Sequence, residues 1–97
     1  MENHNKHIFY VLLCNDGSLY AGYTNNLPNR IKRHNEGKGA KYTRGRGPVE
    51  VIYTKSFAQK SDALKAEYQF KQWSRKKKEE YLVKESGGYY VATKKLR

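Results

Sequence analysis

Arg30 and His34 stand four residues apart, a spacing that puts both side chains on one helical face. A guanidinium and an imidazole placed so suit joint contact with a phosphate; the plainer reading is a solvated basic face carrying a packed or surface histidine. Glu67 is the most informative single residue. On a helical wheel it falls inside the apolar arc of Ala63, Ala66, Phe70 and Trp73, with Leu64 further round. An acid on an apolar face is either costly or paired, and Lys71, one turn on, is the partner a purely structural reading supplies. Tyr10 and Tyr20 lie in apolar surroundings and, taken alone, read as tyrosines at the rim of a core.

Two basic segments could hold a polyanion. Lys38, Lys41, Arg44 and Arg46 are interleaved with Gly39, Gly45, Gly47 and Tyr42, with no acid between Glu36 and Glu50. Glycines let a backbone approach phosphates, and an aromatic ring can stack on a base. Arg75, Lys76, Lys77 and Lys78 form a second run. The bland counterparts are a solvated flexible loop and a solvated helix start; at least one of the two segments is expected to contact phosphate. Zinc is not indicated, because Cys14, His4, His7 and His34 lack ligand spacing. Cys14 falls inside an apolar run and reads as a small core residue.

The elements that would position these residues are legible. Ile8 to Cys14 is apolar on both faces and rich in β-formers, as in a strand buried on both sides. Asn15-Asp16-Gly17 is a hairpin turn, and Leu19 to Tyr23 is the returning strand. Asn25 and Asn26 can cap a helix with Pro28 in its first turn and Gly37 past its end. Val49 to Tyr53 makes a third strand after Pro48. Ser61 is expected to cap a helix over Asp62 to Trp73, and Ser74 to start another reaching about Lys84. The order describes an α+β domain, a small three-stranded antiparallel sheet flanked by helices. Residues 1–84 are read as one domain and residues 85–97 as a loosely attached basic tail.

Twenty Lys and Arg against nine Asp and Glu give a formal charge of +11 on 97 residues. That surplus favours polyanions by steering and by counterion release, so nucleic acid is the expected partner. No basic amphipathic helix with a broad apolar face points to a membrane surface. With one cysteine and no apolar leader, a cytoplasmic location is expected.

Tyr10 in Ile8-Phe9-Tyr10, Tyr20-Ala21-Gly22 ten residues on, Arg30-x-x-x-His34 on a helix and Glu67 on a later helix together resemble the GIY-YIG nuclease superfamily, in particular its small bacterial members. The resemblance covers roughly residues 7 to 83. The sequence departs from the pattern at Ile8, where glycine is expected, and at Tyr23, where several members carry a lysine beside the site. The resemblance implies that Glu67 holds one divalent ion, Mg2+ or Mn2+. Arg30 would bind the scissile phosphate, Tyr10 and Tyr20 would flank the attacking water, and His34 would assist. A shared site requires both tyrosines on one sheet face. A two-residue Asp16-Gly17 turn would separate them, whereas a three-residue loop with Gly17 left-handed puts Tyr10, Leu12, Tyr20 and Gly22 together. The second register is expected.

The function expected is metal-dependent phosphodiester hydrolysis of DNA, favoured over RNA, on branched or damaged structures. A non-catalytic nucleic-acid-binding protein with the same fold is the alternative, and a basic RNA- or ribosome-associated protein a third. Without a separate DNA-reading domain, strong sequence specificity would have to come from a protein partner.

Overall fold

The structure, a computed structural model, describes residues 6–39, 43 and 45–85. Strand β1 (His7–Leu13) is the centre of a three-stranded antiparallel sheet of order β2-β1-β3, with β2 spanning Leu19–Thr24 and β3 Glu50–Phe57. Helix α1 (Leu27–Asn35) lies between β2 and β3 in sequence; α2 (Lys60–Gln72) and α3 (Arg75–Glu85) follow. The α+β expectation holds.

The hairpin register is the one a shared tyrosine face requires. Tyr10 is opposite Gly22 and Leu12 opposite Tyr20. The turn closes with Cys14 N–H donating to Ser18 O at 2.8 Å and Gly17 N–H to Cys14 O at 2.9 Å, leaving Asn15-Asp16-Gly17 as the loop. Gly17 takes φ 87°, a left-handed value that disfavours a residue with a Cβ. The Asp16 carboxylate accepts from the Ser18 amide at 3.0 Å and fixes the turn further.

β1 is buried on both faces, and its alternation divides the core in two. Phe9 and Val11 pack with Ala21, Phe70 and Leu82 beneath α2 and α3. Tyr10, Leu12 and Cys14 pack with Val49 and, at the margin, Leu27 and Ile31 of α1. Each buried Phe or Leu contributes roughly 1.5–3 kcal/mol by leaving water, so the sheet is clamped from both sides. Cys14 is the small core residue expected, 3% exposed. A bulge between Val11 and Leu12 in the β1–β3 pairing puts Ile52 on the α2 side and Val51 on the α1 side.

The caps hold in part. Asn26 accepts from Asn29 N–H at 3.2 Å and starts α1, while Ser74 Oγ accepts from Lys77 N–H at 3.2 Å and starts α3. Ser61 does not cap α2. That helix begins two residues before the expected Asp62, at Lys60, with extended Gln59 at its end and no side-chain bond. β3 runs four residues past Tyr53, since Thr54 to Phe57 keep pairing with Tyr10 to His7. Val49 stays outside the strand because its N–H goes to Asn35 Oδ1 at 2.7 Å. Of the proposed tail over 85–97, residues 86–97 lie outside the described residues, as do Lys41, Tyr42 and Arg44 of the basic loop.

Candidate active site

The sheet face under α1 gathers Tyr10, Tyr20, Arg30 and His34. Tyr10 has no exposed surface, and its ring crosses β2 at Gly22, where a Cβ would overlap the Tyr10 hydroxyl. Gly22 is therefore glycine for the sake of the tyrosine opposite it. Helix α1 delivers Arg30 and His34 from one face, as the i, i+4 spacing requires. The Tyr10 hydroxyl lies 2.9 Å from His34 Nε2 and accepts a longer bond, 3.4 Å, from Arg30 Nε. The Tyr20 ring stands edge-on to His34 at 5.4 Å between centroids and 6.4 Å from the Tyr10 ring.

Burial sets the protonation states. It raises the Tyr10 phenol above its ordinary value, and the Arg30 bond opposes that shift without reversing it. His34, 1% exposed, is pushed down by burial and then by the Arg30 charge, so it is neutral at neutral pH. Arg30 is held firmly charged, first by its bond to Tyr10. A neutral imidazole thus faces an un-ionised phenol beneath a fixed cation.

Glu67 reaches this cluster electrostatically, since its charge contributes to raising Tyr10. Its side chain is 17% exposed, and Oε2 is 2.8 Å from Lys71 Nζ, the pairing that the structural reading of the sequence offers. Lys71 in turn sits 5.7 Å from the Tyr20 ring centroid. Leu64 is 41% exposed, so the apolar arc of α2 stops short of it and Glu67 borders the core. Among the described residues, no group of three or more His, Cys, Asp or Glu gathers as a ready metal site.

Of the residues expected to meet nucleic acid, Lys38, Lys76 and Lys77 are exposed, with Lys77 Nζ 4.9 Å from the Trp73 ring centroid. Arg46 and Arg75 have partners within the protein. Arg46 pairs with Asp16 at 2.8 Å, and Arg75 pairs with Glu79 at 2.7 Å and donates to Gly17 O at 3.1 Å. Both fasten the hairpin turn. Tyr23 projects from the face opposite Tyr20 and Gly22, and its hydroxyl lies 2.7 Å from His7 Nδ1. The departure at position 23 is accordingly turned away from the Tyr10 hydroxyl. Thr43, inside the basic loop, has no counterpart among the residues the sequence singles out. It is 1% exposed, with Oγ1 2.8 Å from His34 Nδ1. One threonine among glycines and cations carries no periodicity to mark it.

This fold, with its two tyrosines, its Arg-His helix and its late glutamate, defines a domain of the GIY-YIG type. The chain belongs to the GIY-YIG family: the profile of the GIY-YIG catalytic domain matches residues 6–80. It is 57% identical to a UPF0213 protein of Bacillus pumilus over 99% of this chain and 100% of that one. Identity to the UPF0213 protein RBAM_000440 of Bacillus velezensis is 65%, over 80% of this chain and 79% of the relative. The solution NMR structure of the UPF0213 protein BH0048 from Bacillus halodurans superposes with a TM-score of 0.60 at 48% identity, covering 92% of this chain and 95% of that one. The family is of nuclease type. No helix among the described residues is long and apolar enough to cross a membrane.

Proposed function

We propose that the protein hydrolyses phosphodiester bonds of DNA with the help of one divalent ion, Mg2+ or Mn2+. The observation that carries this reading is the Tyr10 hydroxyl held between His34 Nε2 and Arg30 Nε. A phenol is a poor base while it keeps its proton, and a neutral imidazole 2.9 Å away is a receiver for that proton. Tyr10 then takes the proton of the attacking water while its own passes to His34. Arg30 covers the hydroxyl in the free protein; when a phosphate engages Arg30, its guanidinium moves onto the phosphate oxygens, neutralises them and opens Tyr10 to water. Tyr20 flanks the same position.

Glu67 is the residue to hold the ion. One half-buried carboxylate leaves most of the coordination shell to water and phosphate, which suits a hard cation of this kind. Held there, the ion would supply charge stabilisation in the transition state. Lys71, 2.8 Å from the same carboxylate, is the cation that the ion would replace.

Branched or damaged duplexes are the substrates to try, because contacts to phosphate position a protein on the duplex without reading base sequence. Nicking of supercoiled DNA and cutting of branched DNA, with Mg2+ and with Mn2+, are measured for wild type and Tyr10→Phe. Ion-dependent cleavage lost in Tyr10→Phe supports the proposal. No cleavage of duplex, single-stranded or branched DNA with either ion overturns it and leaves a nucleic-acid-binding module on a nuclease fold.

A further inference from the structure

His34 is bonded through both ring nitrogens, and the pattern around it determines where its proton sits. Tyr10 has no exposed surface. Arg30 can only donate, so among the described residues the phenol hydrogen has a single acceptor, Nε2 of His34. A buried hydroxyl left without an acceptor is costly, which requires Nε2 to be unprotonated. A neutral imidazole then carries its hydrogen on Nδ1, and that hydrogen points at Thr43 Oγ1, 2.8 Å away. The backbone of Gly39 closes the same side of the ring, since a Cβ there would overlap His34 Nδ1. No side chain fits at position 39 without displacing the imidazole, and Thr43 is the neighbour that accepts from Nδ1.

We infer that Thr43 is a positioning residue, which fixes His34 as the Nδ1–H tautomer and so keeps Nε2 free to take the Tyr10 proton. With the opposite tautomer, Nε2–H would donate to the phenol oxygen and could not receive from it. The orientation Tyr10 to His34 to Thr43 makes a one-directional relay from the reacting hydroxyl to a threonine. Its catalytic significance rests on the reading of Tyr10 given above; the tautomer assignment does not.

The two are therefore tested separately. Long-range 1H–15N correlation spectra of the histidine rings, recorded without substrate at neutral pH, read the tautomer directly. Wild type should show His34 with a protonated Nδ1 and a bare Nε2. Thr43→Ser keeps the hydroxyl and should keep that pattern, whereas Thr43→Val should shift the tautomer balance on the order of tenfold toward Nε2–H. Turnover should fall in Thr43→Val by a similar factor, with little change in DNA affinity, and be restored in Thr43→Ser. A wild-type His34 protonated on Nε2 overturns the inference even if Thr43→Val does not fold. So does a folded Thr43→Val with the wild-type ring pattern. A wild type that cleaves nothing removes the nuclease reading, while the ring spectra still decide the role of Thr43.

Discussion

The Tyr10 hydroxyl and His34 Nε2, 24 residues apart in sequence and 2.9 Å apart in space, are joined inside the protein rather than at its surface. A linkage follows. The imidazole is held neutral by burial and by Arg30, so its value in the folded state lies below that in the unfolded chain. The unfolded chain then binds more protons over the interval between the two values, and stability rises with pH there. The contribution should be complete above the ordinary histidine value of about 6.5 and be lost as pH falls through the folded value. Urea unfolding from about pH 7 to about pH 5 should show this decline, and His34→Gln should flatten it. A slope unchanged in His34→Gln would assign the decline to other groups.

Glu67 and Lys71 give a prediction about the ion. If Lys71 occupies the metal-binding carboxylate, Lys71→Met should tighten Mn2+ binding while Glu67→Gln abolishes it, both read by titration calorimetry. Cleavage in Glu67→Gln should drop by about 10²–10³ or more, with DNA binding kept, because the change makes the surface slightly more basic. The exposed ammonium and the half-buried carboxylate form a pair worth only about 0.2–0.5 kcal/mol, so neither substitution should much alter thermal stability. Unchanged Mn2+ binding in Glu67→Gln would leave the carboxylate as a structural partner alone.

Much of this arrangement was legible in the sequence because it follows from local rules. Alternation along β1 and the three-residue loop put Tyr10 and Tyr20 on one face, and the i, i+4 spacing put Arg30 and His34 together. The limits of α2 and β3 were not legible. Continued pairing with β1 carries β3 to Phe57, and no cap residue dictates the start of α2 at Lys60. Nor did the sequence mark Thr43 and Gly39 as neighbours of His34, since that proximity depends on the path of a loop. The internal partners of Arg46 and Arg75 likewise come from a hairpin turn distant in sequence.

Gly22 tests the crossing of the Tyr10 ring over β2. A Cβ at this position overlaps the hydroxyl of a fully buried tyrosine that is bonded on two sides, so the ring cannot move aside cheaply. Gly22→Ala should destabilise the fold by about 1–3 kcal/mol, as overpacking of a close-packed core does. It should also separate Tyr10 from His34, lowering cleavage more than Gly17→Asn, which disturbs only the turn. Denaturant midpoints and initial rates of the two variants decide this; equal losses of activity at equal stability would show that the ring crossing has no particular role.

The last prediction concerns which cations hold nucleic acid. Lys38, Lys76 and Lys77 are exposed, whereas Arg46 and Arg75 grip the Asn15-Asp16-Gly17 turn. If about five phosphates are neutralised, binding to duplex DNA should fall with salt on a log-log slope of about −4 to −5. Replacing Lys38, Lys76 and Lys77 together by Ala should weaken binding for any DNA sequence and flatten the slope by about 1 for each phosphate no longer neutralised. Arg75→Ala should act differently. It frees Glu79 and the Gly17 carbonyl, and should show mainly as loss of stability in the hairpin, with the salt slope nearly kept. Fluorescence anisotropy across a salt series on wild type and the two variants separates the effects. A slope near zero for wild type would remove nucleic acid as the partner; a triple variant with the wild-type slope would move the interface away from these three lysines.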